Sequence, residues 1–444
     1  MDAAGEEGDG VTYHHVEQRF NIPSEPSAQE RLDRIVPFLV SLLPAPYVPD
    51  AGRTAALSTS WRRVCAGTPL LVDDAHLLHG GGTSDVPVVR ALSRCVGAHP
   101  GPVGGVRVTR VAFYAHEYAL RRLVADLADK GVRDLVLFNR PWPLDMPLPD
   151  DILRCASLHR LYLGVWHCLK TSAERPPAFP ELRELGLFHC IVRNEELEAL
   201  LAHCPKLEIL SLIMSYHEPL RLRLASDSLK IAVDWMSSFD EVVAEHAPKL
   251  ERLLFQSLGK RRPVRIVCAP RLEVLGFLDL DIHTLEIVSA TNMVPILKTL
   301  AVKVQFACNR EAKLLSTLLK CFPRLKTLHV MPAPANSPDS EQDSRFWEHR
   351  GPCECIQSHL ETVIIYGSTT ETHGIWFIHY IMWEGKALKT MGFVCSDEKA
   401  SGFRHSMPGG SGEVVLCVVA PRWSFQAAID LSLDDPLSAV RAQA

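Results

Sequence analysis

The sequence has no surplus of positive charge: its 444 residues carry 47 Lys and Arg against 52 Asp and Glu, a formal charge of −5. A protein that grips nucleic acid through many phosphates needs a basic surface, so nucleic acid is not an expected partner. Long apolar runs are missing too. Stretches such as Val414–Ala420 fall far short of the roughly 18 residues that cross a bilayer, so no membrane association is expected. The opening MDAAGEEGDG is acidic and Gly-rich and leads into no apolar segment, which predicts a cytoplasmic and/or nuclear protein. The 13 cysteines are odd in number and scattered, which predicts buried thiols and not a disulfide framework. Catalytic motifs are lacking as well. The chain holds no H-E-x-x-H, no G-x-S-x-G and no strand-to-helix G-x-G-x-x-G, and the Gly80–Gly82 run lacks the Lys of a phosphate loop. The expectation is therefore no catalytic residue, no metal and no cofactor.

What the chain does have is a repeat. With 47% hydrophobic and 22% charged residues it can bury a large core. The pattern apolar-x-x-apolar-x-apolar recurs at Val132–Leu137, Leu158–Leu163, Leu182–Leu187, Leu207–Leu212, Leu250–Phe255, Leu272–Phe277, Leu297–Val302, Leu325–Val330, Leu360–Ile365 and Leu388–Phe393. A weaker copy lies at Leu229–Val233. The first copies start 26, 24 and 25 residues apart, within the range of leucine-rich repeats. Each copy predicts one short strand with two leucines inward, and stacked copies predict a curved parallel sheet whose concave face is open for binding. Three stretches before strands, 197–210, 241–253 and 314–328, read as helix, proline break, then strand. The fold class is thus α/β, with a leucine-rich-repeat solenoid over 105–425.

Histidine–cysteine neighbours occur at His167–Cys168, His189–Cys190 and His203–Cys204. Their recurrence follows the repeat, and adjacent strand residues point to opposite faces, so a shared metal site is not expected. Cys353 and Cys355, with His349 nearby, lack the second pair that a zinc site needs. The positions between and just after the inward leucines are predicted to be exposed, and they include Arg160, Tyr162, Phe188, Ile213, Arg252, Gln256, Lys303, His329 and Tyr366. Aromatic and Arg side chains dominate binding hot spots, so all of these except Ile213 are the candidate target-binding residues. Trp166 is placed either at the rim or in the core.

Upstream of the repeats, Ile35, Leu39, Leu42 and Leu43 recur at helical spacing, Pro44 ends that helix, and Ala55, Leu57 and Trp61 mark a second. Leu39-Val-Ser-Leu42-Leu43-Pro44, Arg53-Thr54-Ala-Ala-Leu57-Ser58-Thr-Ser-Trp61-Arg62-Arg63-Val64 and Pro69-Leu70-Leu-Val-Asp73-Asp74 follow one another with characteristic spacing. In these residues the chain resembles the plant F-box proteins with leucine-rich repeats, and its repeats over about 325–395 look like the FBD region common in that family. The start of the motif departs from the pattern: Ala28-Gln-Glu30-Arg31-Leu32-Asp33-Arg34 stands in place of Leu-Pro-Asp-acid.

The resemblance implies a substrate-recognition subunit of a Skp–cullin–F-box ubiquitin ligase. Leu32, Ile35, Leu39, Leu42, Leu43, Pro44, Leu57 and Trp61 would meet a Skp-type adaptor, which links the chain to a cullin, while the repeats hold a target protein. The expected organisation is a disordered tail over 1–27, an F-box-like helical module over 28–78 and a linker over 79–104 with a short helix near Val88–Cys95. The repeats over 105–425, with Val106–Phe113 as an early strand and a helix over 116–130, then lead to a tail over 426–444. Segments 332–355 and 396–412 read as surface loops. The alternative is a leucine-rich-repeat scaffold without ligase association, its N-terminal helices serving only as a cap.

Overall fold

Each copy of the repeat becomes a strand, and the strands lie side by side in chain order. The computed structural model describes residues 66–77, 85–139, 146–167, 179–218, 221–237, 239–256, 262–288, 294–333, 346–347, 350–366, 372–394, 404–406, 413–417 and 425–437. The strands are β1 (Leu70–Asp73), β2 (Val103–Val108), β3 (Asp134–Phe138), β4 (Arg160–Gly164), β5 (Glu184–Phe188), β6 (Ile191–Arg193) and β7 (Ile209–Ile213). They continue as β8 (Tyr216–Glu218), β9 (Arg221–Ala225), β10 (Ile231–Trp235), β11 (Glu241–His246), β12 (Arg252–Gln256), β13 (Arg262–Ile266) and β14 (Val274–Asp279). The last are β15 (His283–Ile287), β16 (Thr299–Val304), β17 (Thr327–Pro332), β18 (Thr362–Tyr366), β19 (Thr390–Val394), β20 (Arg404–Ser406) and β21 (Glu413–Cys417). Among the described residues a 15-stranded sheet runs β1-β2-β3-β4-β5-β7-β10-β12-β14-β16-β17-β18-β19-β21-β20. Its pairings are parallel except that of β20 with β21.

The α/β leucine-rich-repeat solenoid read from the sequence is thus the architecture of the chain. Register follows the motif. Leu137, Leu163, Leu187 and Leu212 align from strand to strand, as do Leu135, Leu161, Leu185 and Leu210, and all are essentially buried. The Leu-Lys-Thr or Leu-Glu-Thr triplets of the later copies place Thr299, Thr327, Thr362 and Thr390 in a single row.

What covers the leucines changes along the array. The helices are α1 (Val86–Ala98), α2 (Glu117–Asp129), α3 (Asn194–Ala202), α4 (Asn309–Cys321), α5 (Glu354–Ser358), α6 (Thr372–Glu384) and α7 (Phe425–Ile429). Helix α2 adds Leu120, Leu123, Val124 and Leu127 to the same core as Leu135 and Leu137. In the middle repeats a second parallel sheet, β15-β13-β11-β9, takes the place of helices. The predicted helix within 241–253 is therefore corrected: Glu241–His246 is a strand. Its Val242 and Val243 favour extended backbone, and β9 and β13 flank it to complete the ladder.

A device at the end of four neighbouring strands repeats as well. Val165, His189, Met214 and Met236 follow β4, β5, β7 and β10 and are left-handed without being glycine, with φ of 62°, 52°, 47° and 56°. Such a residue costs of order 1–2 kcal/mol. Each donates its backbone N–H to the last carbonyl of the next strand, on Phe188, Ile213, Trp235 and Gln256, at 3.0, 2.8, 2.8 and 2.6 Å. The turn aims the next side chain inward. Trp166 Nε1 donates to the Leu137 carbonyl at 2.9 Å, Cys190 Sγ to Leu163 at 3.6 Å, Ser215 Oγ to Leu187 at 3.0 Å and Ser237 Oγ to Leu212 at 3.1 Å. Trp166 is therefore core, and Cys190 serves the backbone.

Several boundaries differ from expectation. The sheet begins inside the segment assigned to the F-box-like module, because β1 pairs with β2, and the 79–104 linker contains the 13-residue α1 and the start of β2. The early strand is Val103–Val108, since the chain leaves the sheet at Thr109. Segment 332–355 contains a buried Trp347 and the start of α5, and segment 396–412 contains β20. The 426–444 tail is corrected as well: α7 and the turn after it pack, with Ala428 and Leu437 buried. Residues 1–27 and the F-box-like helices lie outside the described residues.

Candidate functional site

The face of the sheet turned away from the leucines carries the predicted binding residues, and two clusters occupy it. The first is aromatic. Gly164 follows Phe138 in register, and Gly186 follows Tyr162. A Cβ on Gly164 would stand 2.1 Å from the Phe138 ring, and one on Gly186 would stand 2.3 Å from the Tyr162 ring. The glycines therefore act as seats on which rings of the preceding strand lie flat. Phe188 completes the layer, 5.7 Å from Phe138 and 6.1 Å from Tyr162 between ring centroids. The Tyr162 hydroxyl donates to Glu184 at 2.8 Å, and burial pushes its phenol well above the usual range.

The predicted exposure of Tyr162, Phe188 and Ile213 is thus corrected: they are 1%, 0% and 3% exposed. The Gly164 and Gly186 seats bury one face of the Phe138 and Tyr162 rings, and Phe188 packs against both rings. Arg160 is half-exposed and sits 3.9 Å from Asp134 and 3.6 Å from Glu184.

The second cluster joins three predicted residues to the C-terminal segment. Arg252, on β12, is 4% exposed, and its guanidinium donates to the carbonyls of Ala427, Ala428 and Leu433 at 3.3, 2.9 and 2.5 Å. Burial lowers the pKa of this guanidinium, while Asp430 and Asp435 favour its charged form. His329, on β17, is fully buried, with Nδ1 2.9 Å from the Tyr366 hydroxyl and Nε2 3.0 Å from Asp435 Oδ2. Tyr366, on β18, donates to the Leu437 carbonyl at 3.1 Å, and burial raises its phenol. The expected solvent exposure of Arg252 and His329 is corrected by this covering segment. Gln256 and Lys303 join neither cluster. Gln256 is half-buried and its carbonyl receives Met236, while Lys303 pairs with Asp279 at 2.8 Å.

The segment that closes the F-box-like sequence is itself structural. Asp73, at the end of β1, pairs with Arg107 of β2 at 2.7 Å with both side chains nearly buried. Asp74 accepts the backbone N–H groups of Thr109 and Arg110 at 2.9 and 2.7 Å, and burial pushes its carboxyl up to about 6. Both residues stand in the Pro-Leu-x-x-Asp-Asp stretch, the one signal by which sequence reading could have found them. For Ala428, Asp435 and Leu437 the only sequence signal is an apolar spacing richer than a solvated tail requires. Leu32, Ile35, Leu39, Leu42, Leu43, Pro44, Leu57 and Trp61 lie outside the described residues.

Among the described residues no group of three or more His, Cys, Asp or Glu is placed to hold a metal, and no helix is long and apolar enough to cross a membrane. Cys353 and Cys355 instead face each other, Sγ to Sγ 3.5 Å, and the hydrogen bond between them lowers the Cys353 thiol below its ordinary value.

Comparison with known proteins adds two matches and a relative. Residues 120–330 match the family described as FBD-associated F-box protein At5g56370, LRR repeats, and residues 348–393 match the FBD family. The chain is also similar to the F-box/FBD/LRR-repeat protein At1g13570 of Arabidopsis thaliana, at 24% identity over 364 residues, covering 77% of this chain and 85% of the relative.

Proposed function

Because the chain belongs to the plant F-box/FBD/leucine-rich-repeat proteins, we propose that it is the substrate-recognition subunit of a Skp–cullin–F-box ubiquitin ligase in the cytoplasm and/or nucleus. The action is positional and needs no nucleophile of its own. The F-box-like helices hold a Skp-type adaptor and through it a cullin, the repeats hold a target protein, and the target's lysines gain effective concentration near the ubiquitin-loaded partner. The observation that carries this reading is that Leu70–Asp73, the last stretch of the F-box-like sequence, is the first strand of the repeat sheet. Asp73 and Asp74 then tie the end of that motif to β2 and the turn after it.

The altered start of the motif, Ala28–Arg34, favours a second reading, a repeat scaffold without ligase association. Co-purification with a Skp-type adaptor separates the two. The intact chain retains the adaptor, whereas deletion of 28–65 or the double change Leu39→Asp/Leu42→Asp abolishes retention while circular dichroism shows that both variants still fold. An intact chain that retains no adaptor establishes the scaffold.

A further inference from the structure

The C-terminal segment crosses the sheet from β12 to β18 on the face that a target would use, and how it is held bears on what that target is. Helix α7 presents the carbonyls of Ala427 and Ala428, from its C-terminal half, to the Arg252 guanidinium, which also donates to the Leu433 carbonyl. Farther along, the Asp435 carboxylate meets His329 and the Leu437 carbonyl meets Tyr366. Most of these contacts address backbone oxygens, which any chain of the same shape supplies. At the far end the carboxylate of Asp435 is read by His329. Among the described residues the apolar attachment consists of buried Ala428, Pro436 and Leu437 with Ile429 and Leu433 half-buried, while Leu431 is 40% exposed.

A structural cap would be expected to seal this face with large apolar side chains. Here the sheet instead offers a planar Arg fork and a buried His–Tyr pair, groups suited to recognising a ligand.

We infer that the face around Arg252, His329 and Tyr366 is a peptide-binding seat occupied in cis by residues 425–437. Its ligand in trans is a target segment of the same chemistry: a short helix that ends in a turn, with an acidic side chain several residues beyond the helix. This deepens the proposed target-receptor role and rests on it for the ligand's being a ubiquitination target. The seven residues between β21 and α7 hold the cis segment at an effective concentration of about millimolar, so it blocks weak ligands and yields to tight or multivalent ones.

The test uses the full chain with a site-specific protease sequence substituted within residues 418–424. The probe is a fluorescent peptide of residues 423–440, and folding is followed by circular dichroism. Before cleavage, micromolar peptide does not bind. After cleavage the chain stays folded and takes up the peptide saturably. Arg252→Ala and His329→Ala each weaken that binding at least tenfold, as does an Asp435→Asn peptide. Unfolding on cleavage overturns the inference, because the segment is then part of the fold. So does a folded, cleaved chain that never exchanges its segment for labelled peptide, or one whose binding ignores Arg252 and His329. Adaptor retention is measured on the same samples. Its loss with peptide binding intact overturns the ligase role and leaves the seat standing.

Discussion

Asp234 occupies a place that the repeat reserves for leucine. It aligns with Leu212 on one side and Phe255 on the other, in the row that continues through Leu187, Leu163 and Leu137, and it is 1% exposed. Burial pushes its carboxyl from the ordinary 3.8 up to about 6, outweighing the pull of Arg262 and Ser237. A raised acid favours the protonated form in the fold. Below pH of about 4 both folded and unfolded chains are protonated, so the site imposes no cost. As pH rises from about 4 to 6, the unfolded chain releases its proton while the folded chain keeps it, and stability falls by about 1.4 kcal/mol per pH unit. Above about 6 the cost is level at about 3 kcal/mol, an order-of-magnitude figure.

Asp234→Asn preserves the shape of the neutral acid and abolishes the titration. Chemical denaturation of wild type and variant from pH 4 to pH 7.5 should show similar stability at the acid end. A gap of about 2–3 kcal/mol in favour of the variant should open by pH 7. Either of two results would refute the reasoning: a gap favouring the wild type at neutral pH would mean that the attraction of Arg262 outweighs burial, and a gap that does not change with pH would mean that the two cancel.

Three further substitutions probe other parts of the account. Gly186→Ala places a methyl group 2.3 Å from the Tyr162 ring and should cost about 1–3 kcal/mol by overpacking, read as a lowered thermal midpoint; an unchanged midpoint would mean that the ring is not seated there. Asp74→Ala strips two backbone donors of their acceptor and should destabilise the first repeat by about 1–3 kcal/mol, with faster hydrogen exchange at Thr109 and Arg110 as the local signature. Alkylation of Cys353 should follow a titration below the ordinary thiol range, and Cys355→Ala should move that midpoint up, because the lowering rests chiefly on the Cys355 thiol. An identical pH profile in the variant would count against the thiol pair.

The strands were legible because Leu-x-x-Leu-x-Leu is a local code: the alternation that names the inward leucines also sets the register of each strand on the next. Helix α4 was legible for a similar reason, since its apolar residues Leu315 and Leu319 recur at helical spacing before Pro323. Segment 241–246 was not, because a short apolar run suits either a helix or a strand, and its strand partners are separate segments. Which face residues were exposed could not be read from periodicity. The seating of Tyr162 depends on the absence of a side chain at Gly186 on the neighbouring strand. The burial of Arg252 depends on the Ala428 carbonyl, 176 residues away in sequence. Contacts of that range leave no local mark, so Arg252, His329 and Tyr366 were picked out as binding residues without any sign that the chain itself reaches them.

Whether the chain places bound proteins beside a ubiquitin-loaded partner is read from ubiquitin transfer in a mixture of the chain with a Skp-type adaptor, a cullin complex, the activating and conjugating enzymes and ATP. Held in such a complex, the chain is its own nearest source of lysines. The chain itself should become modified, and the modification should disappear when residues 28–65 are deleted or the adaptor is omitted. A chain that stays unmodified while a control F-box protein is modified in the same mixture would contradict it.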